Sequence, residues 1–409
     1  MKRIRITPPA GINAAVQLPS SKSICNRVLI LNALAKGNND IQNLSDCDDT
    51  QVMTDALRNM PDIIDIKAAG TAMRFLTAYL AVTEGTHIIT GTARMQQRPI
   101  KVLVDALNAL GASIRYTTRE GYPPLNITGQ TLTKNAISLP GDISSQYISA
   151  LLMIGPELKG GLQLTLTGDI ISRPYINLTL ELMKEFGAQA EWISDNQLAV
   201  PPKPYVPRSY FIESDWSAAS YWYEITALSG QASVRLPGLF RNSFQGDAKV
   251  AELFTRLGVS TAFHEDSVVL KKQGTPLPRL EYNFVDQPDL AQTFVVTCAM
   301  MDIPFRFSGL QSLKIKETDR MYALITEMRK LGFVLTEESG AVLSWNGQRC
   351  NPEPSPAVDT YEDHRMAMAF APAAIRLKEL RINNPEVVSK SYPHYWEDLG
   401  KAGFFITEE

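Results

Sequence analysis

The 409 residues carry 40 basic and 43 acidic side chains, a net charge of −3, which gives no basic surface for nucleic acid and no cationic face for a membrane. No apolar run reaches the roughly 18 residues of a membrane span, and MKRIRITPPAGINAAV lacks the apolar core of a signal peptide, so a cytoplasmic protein is expected. Four scattered cysteines and four isolated histidines provide neither a disulfide framework nor a zinc site, and no Walker A segment, strand-linked G-x-G-x-x-G or G-x-S-x-G elbow is present.

From the N-terminus, KRIRI (2–6) and AAVQL (14–18) read as two strands. SKSICNRVLILNAL (21–34) follows, a small polar cluster opening an apolar helix, and the pattern recurs at GTAMRFLTAYLA (70–81), DISSQYISALLM (142–153), SDWSAASYWYEITAL (214–228), PDLAQTFVVTCAM (288–300) and EDHRMAMAFAPAAI (362–375). Between these lie helix ends that share an apolar face followed by glycine: LNALGA, LMKEFGA, LFTRLGV, MRKLGF and LGKAGF. Their glycines, Gly111, Gly187, Gly258, Gly332 and Gly403, are 71 to 76 residues apart, too regular for scattered caps.

The chain therefore reads as six units of strand, helix, strand, helix, strand, strand, in an α/β (α+β) fold. The sixth unit ends just after its second helix, and residues 1–21 supply two strands that complete it. This closure implies two domains, 1–21 with 214–409 and 22–213, with an active-site cleft between them. The first unit is short, since Lys22 to Thr71 spans 49 positions, and a peripheral hairpin is missing from it.

Polar and cationic residues gather at the helix starts. Lys22, Ser23, Asn26 and Arg27 combine free N–H groups, a positive dipole end and two cations, which favour phosphate or carboxylate; a serine N-cap with solvated charges is the alternative. Arg74 and Arg98 occupy matching helix starts in the second unit, Arg98 at the mouth of a proline-led first turn, unless they are ordinary surface arginines. Ser144, Ser145, Gln146, Ser172 and Tyr175 offer hydroxyl and amide groups suited to a hydroxylated or phosphorylated ligand, or act as caps. Lys316, Glu317, Asp319 and Arg320 crowd one turn, and His364 with Arg365 opens a helix whose next face is apolar, so these charges need partners or a ligand. A salt-bridged helix start is the alternative for the first group. Asp289 is a lone carboxylate at a helix start, or a simple N-cap.

These motifs, S-K-S-x-x-N-R, A-G-T-A-M-R, R-P-I, S-S-Q, S-R-P-Y-I, R-N-S-x-Q-G-D, K-E-T-D-R, D-H-R-M-A-M and S-K-S-Y-P, run in one order from Leu18 to Trp396. Together they resemble the 5-enolpyruvylshikimate-3-phosphate synthase family of enolpyruvyl transferases. The resemblance implies two domains of three βαβαββ repeats each, the first repeat truncated here. It implies transfer of the enolpyruvyl group of phosphoenolpyruvate to the 5-hydroxyl of shikimate 3-phosphate, as a monomer, without metal or organic cofactor.

By the same resemblance, Lys22, Ser23, Arg27, Ser144, Ser145, Gln146, Ser172, Tyr175, Asp289, Ser312 and Lys316 hold shikimate 3-phosphate. Lys22, Gly70, Arg98, Gln146, Arg320, Arg365 and Lys390 hold phosphoenolpyruvate. Asp289, Glu317 and Lys22 are the implied catalytic set: Asp289 takes the hydroxyl proton, Glu317 protonates the methylene and the cations neutralise phosphate and carboxylate, while His364 orients Glu317 or a neighbour. Ser20, Ala68 and Phe75 stand where the family has glycine, asparagine and proline, and Ser312 and Lys314 where asparagine and arginine are common. Two rivals remain open. A UDP-N-acetylglucosamine enolpyruvyl transferase would carry a cysteine before its R-P motif, where this chain has TARMQQ. A non-catalytic anion-binding protein would bind phosphate without releasing it. The fourth unit, with no cation at its helix start, reads as scaffold.

Overall fold

The six polar-then-apolar segments form the helices Lys22–Leu34, Gly70–Val82, Ser145–Ile154, Trp216–Leu228, Ala291–Met300 and His364–Phe370 in a computed structural model that describes residues 2–37 and 40–409. Their bodies are apolar on nearly every face, and they are buried accordingly; every residue of Ala291–Met300 is inside. The second helix of each repeat is shorter or more polar and lies nearer the surface, as in Lys101–Leu110 and Arg173–Glu185. The five repeat glycines all sit just beyond these second helices with positive φ, from 82° at Gly258 to 107° at Gly111, the left-handed stop that glycine adopts without a Cβ clash. In the first repeat the helix Asp48–Asn59 stops on Met60, at φ 41° in the same conformation. That helix ends without a glycine, so the glycine spacing did not reveal it.

Among the described residues, five four-stranded sheets share one strand arrangement. In each, a strand before the buried helix pairs parallel with the strand after it and two further strands continue the sheet antiparallel, supplied by the following hairpin in four of them and by Arg3–Thr7 and Phe405–Glu408 in the last repeat. Ile63–Asp65, Thr86–Thr90, Leu125–Thr128 and Ser113–Tyr116 lie side by side in this way, as do Ala136–Pro140, Leu162–Thr167, Gln197–Val200 and Glu191–Ser194. Among the described residues the sixth sheet has two strands, Ile41–Gln42 parallel to Tyr210–Phe211, and the first repeat shows no hairpin there.

The N-terminal strands divide between two repeats. Arg3–Thr7 enters the last sheet between Leu380–Asn383 and Phe405–Glu408, but Ile12–Ala15 pairs parallel with Ala232–Pro237 of the fourth repeat. The expectation that both strands complete the sixth repeat is corrected. That repeat needs only one, because the chain forms another strand after its second helix, Tyr395–Lys401.

The chain divides into two compact units, residues up to Pro19 with Glu213–Glu409, and Ser20–Ile212. Each has its own hydrophobic core. The first packs Phe254, Phe284 and Phe294 with ring centroids 4.6 and 5.4 Å apart, where each buried ring contributes about 1.5–3 kcal/mol. Such cores hold the helix starts in fixed places. Among the described residues no helix is long and apolar enough to cross a membrane.

Candidate active site

In the unit Ser20–Ile212 the candidate residues come from several helix starts. Lys22 opens the helix Lys22–Leu34, with its ammonium 3.2 Å from Asp49 in the first turn of Asp48–Asn59. One turn on, Arg27 is buried. Its guanidinium donates to Thr179 Oγ1 at 2.7 Å, Ser23 O at 3.0 Å, Ser149 Oγ at 3.1 Å and Tyr175 O at 3.4 Å, and the Phe75 ring centre lies 5.2 Å away. All of these partners are neutral. Burial therefore lowers the Arg27 pKa to about 10, against an opposing effect of Tyr175, and a buried cation of this kind favours an incoming anion.

Gly70, Arg98 and Gln146 form a second group. A Cβ at Gly70 would lie 2.6 Å from Arg98 Nη1 and 2.9 Å from Arg74 Nη1, so the two guanidinium groups approach the start of the helix Gly70–Val82 only because this residue has no side chain. Gln146 Nε2 donates to Thr71 Oγ1 at 3.0 Å, joining the Ser145–Ile154 helix to the same turn. Arg74 points inward, donating to Gly70 O at 2.9 Å and Pro99 O at 3.4 Å. Arg98 does not sit in a proline-led first turn. Its backbone is extended, at φ −89° and ψ 124°, and the helix starts only at Lys101, after the N-cap Ile100, because proline disfavours helical geometry in the residue before it.

The serines in this unit differ in what they do. Ser144 Oγ accepts from Gln146 N at 3.4 Å and caps its helix, while Ser145 beside it is buried. Ser172 precedes the helix Arg173–Glu185 in the left-handed conformation, φ 54°, and its carbonyl accepts from Tyr175 N at 3.0 Å.

In the other unit Asp289, Lys316, Glu317, Arg320, Arg365 and Lys390 belong to one ion-pair network. Asp289 lies in the turn Pro288–Leu290; Oδ1 is 3.0 Å from Arg320 and 3.4 Å from Lys316, and Oδ2 is 2.9 Å from Arg365. The simple N-cap alternative fails here, since the helix Ala291–Met300 begins at Leu290 without a side-chain cap. Glu317 is 2.8 Å from Arg320 and 3.2 Å from Lys390. Arg320 also meets Asp363 at 2.7 Å. His364 is buried at the start of His364–Phe370 with Nδ1 3.7 Å from Asp363, and Ser312 lies in the short turn Gln311–Ile315 ahead of Lys316.

Charges in this network decide its chemistry. Burial pushes the Asp289 carboxyl up, but Arg365, Lys316 and Arg320 outweigh it and hold the group well below the usual carboxylate range. Arg320 is the converse case: burial lowers its pKa, and Asp363, Glu317 and Asp289 raise it more. The carboxylates of Asp289, Glu317 and Asp363 meet the four cations Lys316, Arg320, Arg365 and Lys390, an excess of positive charge that suits an anion.

Four contributors were not picked out from the sequence. Asp363 caps its helix by accepting from Arg365 N at 2.9 Å, and its place just before His364 was the available signal. Asp49 holds Lys22, with nothing in its local sequence to mark it. Tyr221 accepts from Arg365 Nη1 at 3.4 Å. Asp247 accepts from the Ser217 hydroxyl through Oδ2, while its Oδ1 is buried without a hydrogen-bond partner; burial first and Asp289 second raise its pKa to about 7. Tyr221, Ser217 and Asp247 all belong to the fourth repeat, which carries no cation at its helix start and supports Arg365 through Tyr221.

A family model for EPSP synthase (3-phosphoshikimate 1-carboxyvinyltransferase) matches residues 6–64 and 60–399. The chain is 62% identical over 404 residues to a 3-phosphoshikimate 1-carboxyvinyltransferase of Bacteroides fragilis, covering 99% of this chain and 98% of that protein. It is 34% identical over 430 residues to the protein of that name from Vibrio campbellii, covering 98% and 99%. An EPSP synthase structure from Acinetobacter baumannii superposes with a TM-score of 0.80 at 21% identity, covering 100% of both chains. The enolpyruvyl transferase NikO from Streptomyces tendae gives 0.77 at 17% identity, covering 100% and 99%. This chain belongs to the EPSP synthase (3-phosphoshikimate 1-carboxyvinyltransferase) family.

Proposed function

We infer that the chain is a 3-phosphoshikimate 1-carboxyvinyltransferase, which transfers the enolpyruvyl group of phosphoenolpyruvate to the 5-hydroxyl of shikimate 3-phosphate and releases inorganic phosphate. Family membership across the whole chain supports the reaction. The observation that carries the chemistry is Asp289, an ionised carboxylate held by Arg365, Arg320 and Lys316.

In this reading Lys22, Ser23, Arg27, Ser144, Ser145, Gln146, Ser172, Tyr175, Asp289, Ser312 and Lys316 hold shikimate 3-phosphate. The neutral surroundings of Arg27 support its use for the phosphate. Lys22, Gly70, Arg98, Gln146, Arg320, Arg365 and Lys390 hold phosphoenolpyruvate. Asp289 takes the 5-hydroxyl proton as that oxygen attacks C2 of phosphoenolpyruvate, and Glu317, which takes up a proton from solvent when the substrate anion engages its partners Arg320 and Lys390, delivers that proton to C3. Collapse of the resulting tetrahedral adduct returns a proton from the methyl group and expels phosphate, whose charge Lys22, Lys390 and the arginines neutralise. A substrate anion that draws Arg365 and Lys316 away from Asp289 would remove two of the three effects that depress its pKa, and so make it a stronger base. We take the two compact units to be the two domains and the enzyme to act as a cytoplasmic monomer.

Phosphate release from phosphoenolpyruvate, with shikimate 3-phosphate or UDP-N-acetylglucosamine as acceptor, tests the assignment. Release with shikimate 3-phosphate alone, lost in Asp289→Asn, is expected; turnover with neither acceptor, or an unaffected variant, overturns it. The UDP-N-acetylglucosamine reading is not favoured by the relatives' names or by the cysteine-free segment before Arg98. A non-catalytic anion binder is likewise not favoured by relatives named as 3-phosphoshikimate 1-carboxyvinyltransferases over nearly the whole chain.

A further inference from the structure

Immediately ahead of Asp363, His364 and Arg365, the chain passes through two consecutive residues with positive φ, Tyr361 at 53° and Glu362 at 57°. They are the only adjacent non-glycine pair of this kind among the described residues. The conformation brings each Cβ against the following carbonyl, so it persists only where the surroundings impose it. Glu362 is exposed, and the imposition therefore has to come from its neighbours.

One helix, Arg320–Lys330, grips the segment at both ends. At the near end Glu327, fully buried, accepts from the Tyr361 hydroxyl at 2.6 Å through Oε1 and from Asp359 N at 3.1 Å through Oε2. Lys330 adds bonds of 2.9 Å to Glu327 and 2.7 Å to Asp359. At the far end Arg320 holds Asp363 at 2.7 Å, and Asp363 N donates to Thr360 O at 2.8 Å. The chain has three residues in which to pass from the Asp359 bond to the Asp363 bond, and the double left-handed turn makes that passage. Its geometry sets where the helix His364–Phe370 begins, and with it the direction of Arg365 toward Asp289.

We propose that Tyr361 and Glu327 are positioning residues for phosphoenolpyruvate, acting through the left-handed turn at Tyr361–Glu362 on Arg365. This rests on the assignment of Arg365 to that substrate. The exposed Glu362 gives a test in which the backbone changes and no buried contact is lost. Valine resists positive φ, whereas glycine adopts it freely.

Michaelis constants for both substrates are measured by phosphate release, with thermal midpoints as a check on folding. Glu362→Val and Tyr361→Phe each raise the phosphoenolpyruvate KM by about tenfold, with a much smaller change for shikimate 3-phosphate, as expected for a misplaced binding group. Glu362→Gly keeps the wild-type values. A folded Glu362→Val with an unchanged phosphoenolpyruvate KM overturns the proposal, and so does Glu362→Gly behaving like Glu362→Val. If Glu362→Val fails to fold, Tyr361→Phe decides by the same criterion. A wild type that releases no phosphate overturns the reaction instead; the comparison is then read from phosphoenolpyruvate affinity by calorimetry, where equal binding by wild type, Glu362→Val and Tyr361→Phe overturns the positioning.

Discussion

Arg320 and Asp363 meet at 2.7 Å with side chains 2% and 0% exposed. The pair joins the start of one helix to the start of another, and the remaining nitrogens of Arg320 reach Asp289 and Glu317. A single guanidinium thus holds three carboxylates in place.

Arg320→Met should destabilise the protein severely. Removing one partner of a buried pair costs about 3–5 kcal/mol, because the other charge is left uncompensated. Arg320→Lys keeps the charge and loses the planar fork, so it should fall between. Urea unfolding midpoints rank the three proteins; an Arg320→Met midpoint equal to wild type would show that the network contributes nothing to the fold.

The pH dependence of stability should carry a signature of Asp247. Its folded pKa, raised to about 7, lies above the unfolded value of about 3.9, so the folded state binds the extra proton between those limits. The stability it contributes is fully present below the unfolded pKa and is lost as pH rises through about 7. Asp289 works in the opposite sense: its folded pKa is depressed, and its contribution is lost only as pH falls through that low value. Asp247→Asn removes the first effect alone. The difference in thermal midpoint, Asp247→Asn minus wild type, should grow from about pH 5 to about pH 8; a constant difference would mean Asp247 stays charged.

The repeat was legible because five of six second helices end on a glycine that the left-handed stop favours, and the sixth was hidden because Met60 takes that conformation unaided. Strand destinations were harder to read. Ile12–Ala15 pairs with Ala232–Pro237, and a parallel pairing between strands so far apart in sequence leaves no turn signal at either. Candidate cations stood out by charge and position at helix starts, and the structure supplies partners for Lys22, Arg27, Lys316, Arg320 and Arg365 among them. Asp49 and Tyr221 were not visible because ordinary side chains gain their part only through long-range contacts, and Asp247 stood in the R-N-S-x-Q-G-D motif without a role until its burial near Asp289 gave it one. Arg74 could be mistaken for a ligand-facing cation because sequence cannot distinguish a guanidinium that points inward at Gly70 and Pro99 from one that points out.

Arg27→Gln should weaken binding of shikimate 3-phosphate while leaving the fold intact. Among the described residues no carboxylate is paired with Arg27, so its removal strands no buried negative charge there. Each charge-assisted bond to phosphate contributes about 1.5–3 kcal/mol, which corresponds to roughly ten- to a hundredfold in affinity for each bond lost. Calorimetric titration with shikimate 3-phosphate measures this; an affinity within a factor of two of wild type would remove Arg27 from the site.

Gly70→Ala should separate substrate binding from stability. The added Cβ would lie 2.6 Å from Arg98 Nη1 and 2.9 Å from Arg74 Nη1, and both atoms end long side chains that can move. The helix Gly70–Val82 tolerates alanine at its first turn, so the thermal midpoint should change little. Arg98 has to shift by several tenths of an ångström at least, away from the helix N-terminus where, in the proposed reading, its charge and the free N–H groups would act together on an anion. The phosphoenolpyruvate KM should rise by about tenfold or more, as expected when a charge-assisted contact is displaced, with the shikimate 3-phosphate KM less affected. Equal increases for both substrates would instead indicate general disruption of this helix start, and an unchanged phosphoenolpyruvate KM would place Arg98 outside the binding site.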